Sequence, residues 1–205
     1  EDAEVFQYTL IAHRANPELP RTQPAMVDFS STSRIVCVVP AIDWTVTQIR
    51  WFHPLMRFQA QQNVEVRFCA FGDFSSREFA WGDTFILQRD AGQSTLRLMD
   101  DLQRENKTVI FDIDDLLTEI PDFLMTYQAM QKIRPDLIEL LRMADMVTVS
   151  TQHLADEMAA YNSNVMVVPN CVPASARITK HHENSPVRLL LASSDSVRVD
   201  FVIAA

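Results

Sequence analysis

The hydrophobic residues of this chain fall into short continuous runs separated by polar or turn residues. Runs of this length are typical of strands that are buried on both faces of a sheet. They predict six strands, at residues 35–39, 64–70, 84–87, 108–113, 146–149 and 165–168. Between them lie segments with apolar residues at helical spacing, such as Leu96, Met99 and Leu102. Because strand and helix alternate, the sequence predicts an α/β fold with a doubly wound parallel sheet.

The same pattern divides the chain into four parts. Residues 1–33 are rich in Pro and Ser and predict an amino-terminal segment with little regular structure. Residues 34–170 form the predicted domain, and the polar, Pro-containing stretch 171–186 is predicted to be a linker. Residues 187–205 begin another strand and helix and then end in an apolar run. We therefore expect a truncated second domain and a longer parent protein.

Charge and composition exclude several classes of function. With 47% hydrophobic residues the chain can bury a core, so disorder throughout is excluded. It carries 18 basic and 27 acidic residues, a net charge of -9, which argues against nucleic acid as a partner. Residues 100–161 alone hold 13 acidic and 5 basic side chains, a balance that also repels anionic membranes.

The sequence contains no transmembrane, signal-peptide or cysteine-pair motif. No apolar run approaches the ~20 residues of a transmembrane segment, and the first residues do not resemble a signal peptide. The three cysteines are widely spaced and form no CxxC pair, so neither a disulfide framework nor a zinc site is predicted. We expect a soluble cytoplasmic protein without a metal site.

Candidate ligand-binding residues lie where the predicted strands end, because open parallel sheets bind ligands beyond the carboxyl ends of their strands. No GxGxxG or GxxxxGK pattern is present, so a dinucleotide or ATP site within residues 34–170 is improbable. The candidates among the polar and aromatic residues at these ends are Asp43, Trp44, Asp73, Arg89, Asp112, Asp114, Asp115 and Asn170.

The acidic cluster at Asp112, Asp114 and Asp115 admits several interpretations. It matches the hhhhDxD signature of haloacid-dehalogenase-like phosphotransferases, in which Asp112 would attack phosphorus, Asp114 would act as acid and base, and Mg²⁺ would bridge both. Against this, three strands precede the motif, and Leu116 stands where that family has Thr. Alternatively, Asp114 and Asp115 cap the next segment while Asp112 bonds nearby backbone. A non-enzymatic receiver-like domain ranks last, because no Lys ends a late strand.

A longer pattern extends over most of the chain. Segments 83–89, 111–117, 144–151 and 164–170 follow one another in an order that resembles the amino-terminal half of GT-B glycosyltransferases, closest to the "group 1" family. The resemblance implies a Rossmann-like domain that holds the acceptor, followed by a second domain that holds a nucleotide-sugar donor. The chain is then expected to be the acceptor-binding half of an enzyme that glycosylates a carbohydrate or lipid-linked acceptor. Alone it would be inactive and without a cofactor, because its partner is the carboxyl-terminal donor-binding domain.

Several candidate residues suit a polyhydroxyl acceptor. Sugar hydroxyls can donate hydrogen bonds to the polar side chains at the strand ends, and an aromatic ring can stack on a sugar face. Asp114 and Asp115 are the catalytic candidates, without a firm assignment. Alternatively, Trp44 and Trp51, seven residues apart, pack together on one helix face, and Arg89 pairs with Asp90 or with the acidic cluster. The acceptor-binding candidates are Asp43, Trp44, Asp73, Arg89, Asp112 and Asn170.

Overall fold

A computed structural model describes residues 33–171, in which strands and helices alternate. The strands are β1 (Ser33–Val39), β2 (Val64–Ala70), β3 (Thr84–Gln88), β4 (Thr108–Ile113), β5 (Met146–Val149) and β6 (Val165–Val167). The helices are α1 (Thr45–Thr47), α2 (His53–Gln59), α3 (Ser76–Trp81), α4 (Gln93–Arg104), α5 (Tyr127–Met143) and α6 (Gln152–Met158). A π-helical turn, Gln48–Phe52, joins α1 to α2 without a break, and a 3₁₀ turn, Phe71–Asp73, follows β2.

All six predicted strands are confirmed, with ends that differ from the prediction by at most two residues. The predicted amino-terminal segment, linker and second-domain start lie outside the described residues, apart from Ser33 and Cys171 at their borders.

The strands form one parallel sheet in the order β2-β1-β3-β4-β5-β6. From β1 the chain moves outward to β2, then returns past β1 to β3 and continues in the opposite direction. The order therefore reverses between β1 and β3, and this is the switch point at which open α/β sheets bind ligands. The predicted α/β, Rossmann-like fold class is confirmed.

The two faces of the sheet are covered by different helices. On one face, Trp51 of the π-helical turn and Leu55 of α2 pack against alternate residues of β1 and β3, among them Cys37 and Ile86. The other face carries the larger cluster, to which α4, α5 and α6 contribute buried residues. Helices on both faces are what right-handed crossovers require when the direction of winding reverses. No helix between residues 33 and 171 is long and apolar enough to cross a membrane.

A row of polar residues crosses the face covered by α1 and α2. The strand register places Gln88 beside Asp112 and Asp112 beside Thr148. Side chains alternate along a strand, and Ile86 and Ile110, two residues earlier, belong to the apolar cluster on this face. The polar row therefore lies under the helices, immediately before the carboxyl ends of β3, β4 and β5.

Candidate functional site

Asp112 forms a fully buried ion pair with Arg50, a residue of the π-helical turn. Arg50 donates from Nε to Asp112 Oδ2 at 3.2 Å and from Nη2 to Asp112 Oδ1. The hydroxyl of Thr148 also donates to Oδ1, at 2.8 Å. Both carboxylate oxygens therefore have donors, which is the condition under which a buried charge is tolerated.

The remaining nitrogen of Arg50 reaches the segment that follows β6. Its Nη1 donates to the carbonyl oxygen of Val168 and to Oδ1 of Asn170, the latter at 3.3 Å. Nearby, the backbone N–H of Cys171 donates to the carbonyl oxygen of Ile49 at 3.0 Å. The Arg50 side chain therefore links the helical segment between β1 and β2 to β4 and to the residues that follow β6.

Trp44 and Trp51 lie in different environments because only Trp51 is part of the helical segment. Trp51 is 7% exposed and packs in the core, whereas Trp44 is 51% exposed. Trp44 is the residue before α1 and has an extended backbone conformation, so it lies outside the helix. The turn also changes the rotation per residue, so a spacing of seven no longer defines one face. The predicted packing of both rings on one face is confirmed for Trp51 and wrong for Trp44.

Arg89 organises the second part of the site. It follows β3 with a φ of 42°, a conformation that is uncommon for residues other than glycine and is often associated with functional sites. Its N–H donates to the carbonyl oxygen of Asp112 at 2.8 Å. Its guanidinium lies 2.7 Å from Asp114 Oδ1 and 2.9 Å from Asp115 Oδ2. The predicted pairing of Arg89 with the acidic cluster is confirmed.

The carboxylates of Asp114 and Asp115, which the alternative interpretation has capping the next segment, both contact Arg89 instead. The next helix, α5, begins at Tyr127, and its first turn is preceded by Thr126. The loop from residue 114 to residue 126 has no regular structure. Since ordered loops of about this length inside compact domains are usually functional, the segment is itself a candidate binding element.

Asp114 and Asp115 differ in exposure and therefore in chemistry. The side chain of Asp114 is 9% exposed and that of Asp115 is 59% exposed. Burial raises the pKa of Asp114 above its ordinary value, although the positive charge of Arg89 acts in the opposite direction. The negative charges of Asp115 and Asp112 raise the pKa of Asp114 further. A carboxylate with a raised pKa is a better proton acceptor than an ordinary aspartate.

The predicted site residues do not all come together. Asp43 and Trp44 follow β1, while Arg89 follows β3 on the other side of the switch point. Asp73 is exposed after the edge strand β2, and Asn170 is exposed after β6 with its side-chain oxygen bound to Arg50. These positions leave the loops after β1, β3 and β4 as the candidate site.

Asp112 requires a correction. The sequence predicts that it binds an acceptor or, alternatively, bonds neighbouring backbone, but it is 0% exposed and its carboxylate is bound by the side chains of Arg50 and Thr148. Asp112 therefore supports the site from within the core, and its carboxylate is not accessible to a ligand.

The loops at the carboxyl edge of the sheet are strongly acidic. Between the strand ends and the next helices, over the described residues, they contain seven acidic side chains and one basic side chain, Arg89. The acidic residues are Asp43, Asp73, Asp90, Asp114, Asp115, Glu119 and Asp122. An edge of this charge disfavours phosphate groups and favours neutral or cationic ligands.

The residues do not fit the Mg²⁺ site that the phosphotransferase interpretation requires. That chemistry needs free carboxylate oxygens on Asp112 and Asp114. Both oxygens of Asp112 are occupied by hydrogen bonds from Arg50 and Thr148. Between residues 33 and 171 there is also no group of three or more His, Cys, Asp or Glu side chains arranged to hold a metal ion.

Sequence reasoning missed the buried partners of the site. Arg50 was not among the candidates, nor was Thr47, whose hydroxyl donates to Gln88 Oε1 at 2.7 Å. One sequence signal was available for Arg50. It lies three residues after Thr47 and next to Trp51, in a helical segment that must cover the sheet, so its charge needs a buried partner. Within the described residues, Gln88 Nε2 and Trp51 Nε1 are buried without hydrogen-bond partners.

Comparisons with known proteins supply no family. No family model matches the chain, and no curated protein matches it. A solved structure described as a conserved protein from Enterococcus faecalis V583 is 6% identical, with a TM-score of 0.34, and the match covers 67% of this chain and 92% of that chain. A likeness of this size carries no argument about function.

Proposed function

We propose that the carboxyl edge of the sheet binds a neutral polyhydroxyl acceptor, and that the domain is the acceptor-binding half of a nucleotide-sugar-dependent glycosyltransferase. The observation that carries this proposal is that an exposed aromatic ring and a cluster of charged side chains flank the switch point. A half-exposed Trp44 beside Asp43 lies on one side, and the Arg89, Asp114 and Asp115 cluster lies on the other.

An aromatic ring next to carboxylates matches the chemistry of a sugar. The carbon-bound hydrogens of a pyranose form an apolar face that can stack on Trp44, while its hydroxyls can donate to Asp43 and Asp115. Asp115 retains capacity for this because only one of its oxygens contacts Arg89 and the side chain is 59% exposed. The acidic edge also explains why the donor diphosphate would be bound by another domain.

Asp114 is the residue best suited to accept the proton of an acceptor hydroxyl. Its raised pKa makes it more basic, and Arg89 holds one of its oxygens in place. The backbone is also fixed, because Ser150 Oγ donates to the carbonyl oxygen of Asp114 at 3.1 Å. Asp114 would act as the base, and Asp115 would orient the acceptor.

The competing phosphotransferase function has less support. Its nucleophile would be Asp112, which is buried beneath Arg50 and could attack phosphorus only after a fully buried ion pair had been broken. We therefore expect no Mg²⁺-dependent hydrolysis of p-nitrophenyl phosphate by this chain.

The experiment is calorimetric titration of the chain with glucose, galactose, maltose and cellobiose. We expect at least one to bind, and Trp44→Ala to weaken that binding about tenfold, equivalent to about 1.4 kcal/mol. Trp44→Phe retains a ring and should lose less. Glu105→Ala, exposed at the opposite edge after α4, is the matched control and should not change binding. UDP-glucose binding that depends on Asp43 or Asp115 would contradict the proposal.

A further inference from the structure

We infer that the edge strand β2 is a docking surface for a second copy of this chain, which pairs through its own β2 in the antiparallel direction. This inference does not depend on the proposed function, because it concerns the outer side of β2 and not the loops at the strand ends. Strand β2 lies at one end of the sheet, and within the described residues its strand partner is β1. An edge strand offers unpaired N–H and C=O groups to another chain.

Strand β2 lacks three of the features that usually protect an edge strand from such pairing. It is seven residues long, whereas β6, at the other end of the sheet, has three. It contains no proline, and its register with β1 runs from Val64 to Ala70 without a bulge. Short length, proline and bulges all hinder edge-to-edge pairing. Of the two edge strands, β2 is therefore the better template for an added strand.

A side chain of the same chain already occupies one backbone group on the outer side of β2. The N–H of Val66 donates to Oε1 of Gln59 at 2.7 Å. Because alternate residues of a parallel edge strand direct their backbone groups to opposite sides, Val64, Val66 and Phe68 direct theirs away from β1. In the pairing proposed, the carbonyl oxygen of the partner's Val66 takes the place of Gln59. Gln59 therefore competes with the second copy for this N–H.

The charges of β2 select one register for the pairing. Glu65 and Arg67 flank Val66, and neither forms an ion pair within residues 33–171. A twofold axis at Val66 places Glu65 of each copy opposite the partner's Arg67. An axis at Glu65 or at Arg67 would instead place like charges directly opposite each other, which is destabilising. Charge complementarity therefore favours a closed, symmetric pair centred on Val66.

The side chains on both faces of β2 suit this register. On one face, Arg67 stacks on Trp81, with its Cζ atom 3.9 Å from the ring centroid. Stacking holds the guanidinium plane in place and leaves N–H groups at its rim to donate to a carboxylate. On the other face, Val64, Val66 and Phe68 belong to the cluster beneath α2. There Val66 would contact the partner's Val66, and Val64 would contact the partner's Phe68, which are favourable cross-strand pairs.

The test is sedimentation velocity of the full chain over a wide range of concentrations. The native chain should dimerise at high concentration. Glu65→Arg and Arg67→Glu should each weaken dimerisation at least about tenfold, because each variant places two like-charged pairs across the interface. An equimolar mixture of the two variants should dimerise as the native chain does, since every Arg then lies opposite a Glu. The matched control is Glu105→Arg, exposed after α4, which should dimerise like the native chain.

Gln59→Ala removes the competing acceptor and should tighten dimerisation about two- to tenfold, the worth of one hydrogen bond. Hydrogen exchange adds a local readout, because the outward amide of Phe68 should exchange more slowly as the concentration rises.

Four results would overturn the inference. A native chain that is monomeric at every concentration would exclude the dimer. Equal dimerisation of the native chain and both charge variants would place the interface elsewhere. Failure of the variant mixture to restore dimerisation would exclude the register centred on Val66. Protection of the Phe68 amide that does not change with concentration would mean that another segment of the same chain covers β2.

Discussion

Replacement of Arg50 by Met is the sharpest test of how the site is supported. The substitution keeps an unbranched apolar stem of similar reach, so the lost interactions are those of the guanidinium. In Arg50→Met, Asp112 retains only the hydrogen bond from Thr148, and Val168 and Asn170 lose their contact with Arg50. A carboxylate that is 0% exposed would then lack a counter-charge.

The expected cost follows from that burial. Removing one partner of a buried ion pair destabilises proteins by about 3–5 kcal/mol, because the other charge stays buried without compensation. Total stabilities are about 5–15 kcal/mol, so the variant should still fold but unfold at clearly lower denaturant. Asp112→Asn should cost a similar amount, since it leaves the guanidinium unpaired. The double variant Arg50→Met/Asp112→Asn should cost less than the sum of the two, with a coupling of about 1–3 kcal/mol.

Urea unfolding followed by circular dichroism measures these free energies. The matched control is Arg104→Met, which breaks an exposed i,i+4 pair with Asp100 and should cost no more than about 0.5 kcal/mol. Hydrogen exchange adds a local readout, because the amide of Cys171 donates to the backbone of the π-helical turn and should exchange faster in Arg50→Met.

Two results would refute this reasoning. A cost below about 1 kcal/mol for Arg50→Met would mean that water reaches Asp112 and that the pair is not buried in solution. Strict additivity of the two single variants would mean that Arg50 and Asp112 do not interact directly.

Further predictions concern pH and packing. Because the folded-state pKa of Asp114 is raised, ionisation of Asp114 opposes folding. Asp114→Asn should therefore be more stable than the native chain at pH 7. The difference in stability should shrink as the pH falls through the folded-state pKa of Asp114. Thermal unfolding across this pH range checks it, and a less stable Asp114→Asn at pH 7 would contradict it. Gly82→Ala should lower stability by about 1–3 kcal/mol because its Cβ would lie 2.6 Å from Phe85 and 2.7 Å from Val36. Gly72→Ala, with open space around the new Cβ, is the control and should be close to neutral in the same urea titration.

The strands could be predicted from sequence because their signal is local. A strand buried on both faces needs a continuous apolar run, and the interiors of β1, β3 and β4 are such runs. Alternation with helices then restricts the connections to parallel crossovers, and right-handedness places α1 and α2 on the face opposite α4 to α6. The fold class therefore follows from patterns within windows of a few residues.

The partners of the site could not be predicted in this way because they are distant in sequence. Arg50 and Asp112 are 62 positions apart, and Arg50 and Asn170 are 120 apart. Their pairing depends on the order of strands and on the π-helical turn, which turns Arg50 toward the sheet. Neither the strand order nor the irregular turn has a signature in residue spacing, and the assumed regular helix also misplaced Trp44.

The three aspartates of the motif lie in environments that differ in burial and in ion pairing. Burial is the largest cause of the raised pKa of Asp114, and the negative charges of Asp115 and Asp112 raise it further. Arg50 neutralises Asp112 from within the core, and Arg89 holds the largely buried Asp114 at the carboxyl edge of the sheet, so neither arginine can replace the other. The remaining carboxylate, Asp115, shares Arg89 and faces solvent. A cluster that matches one metal-binding motif in sequence is thereby divided into a buried, ion-paired carboxylate, a largely buried carboxylate with a raised pKa and an exposed carboxylate.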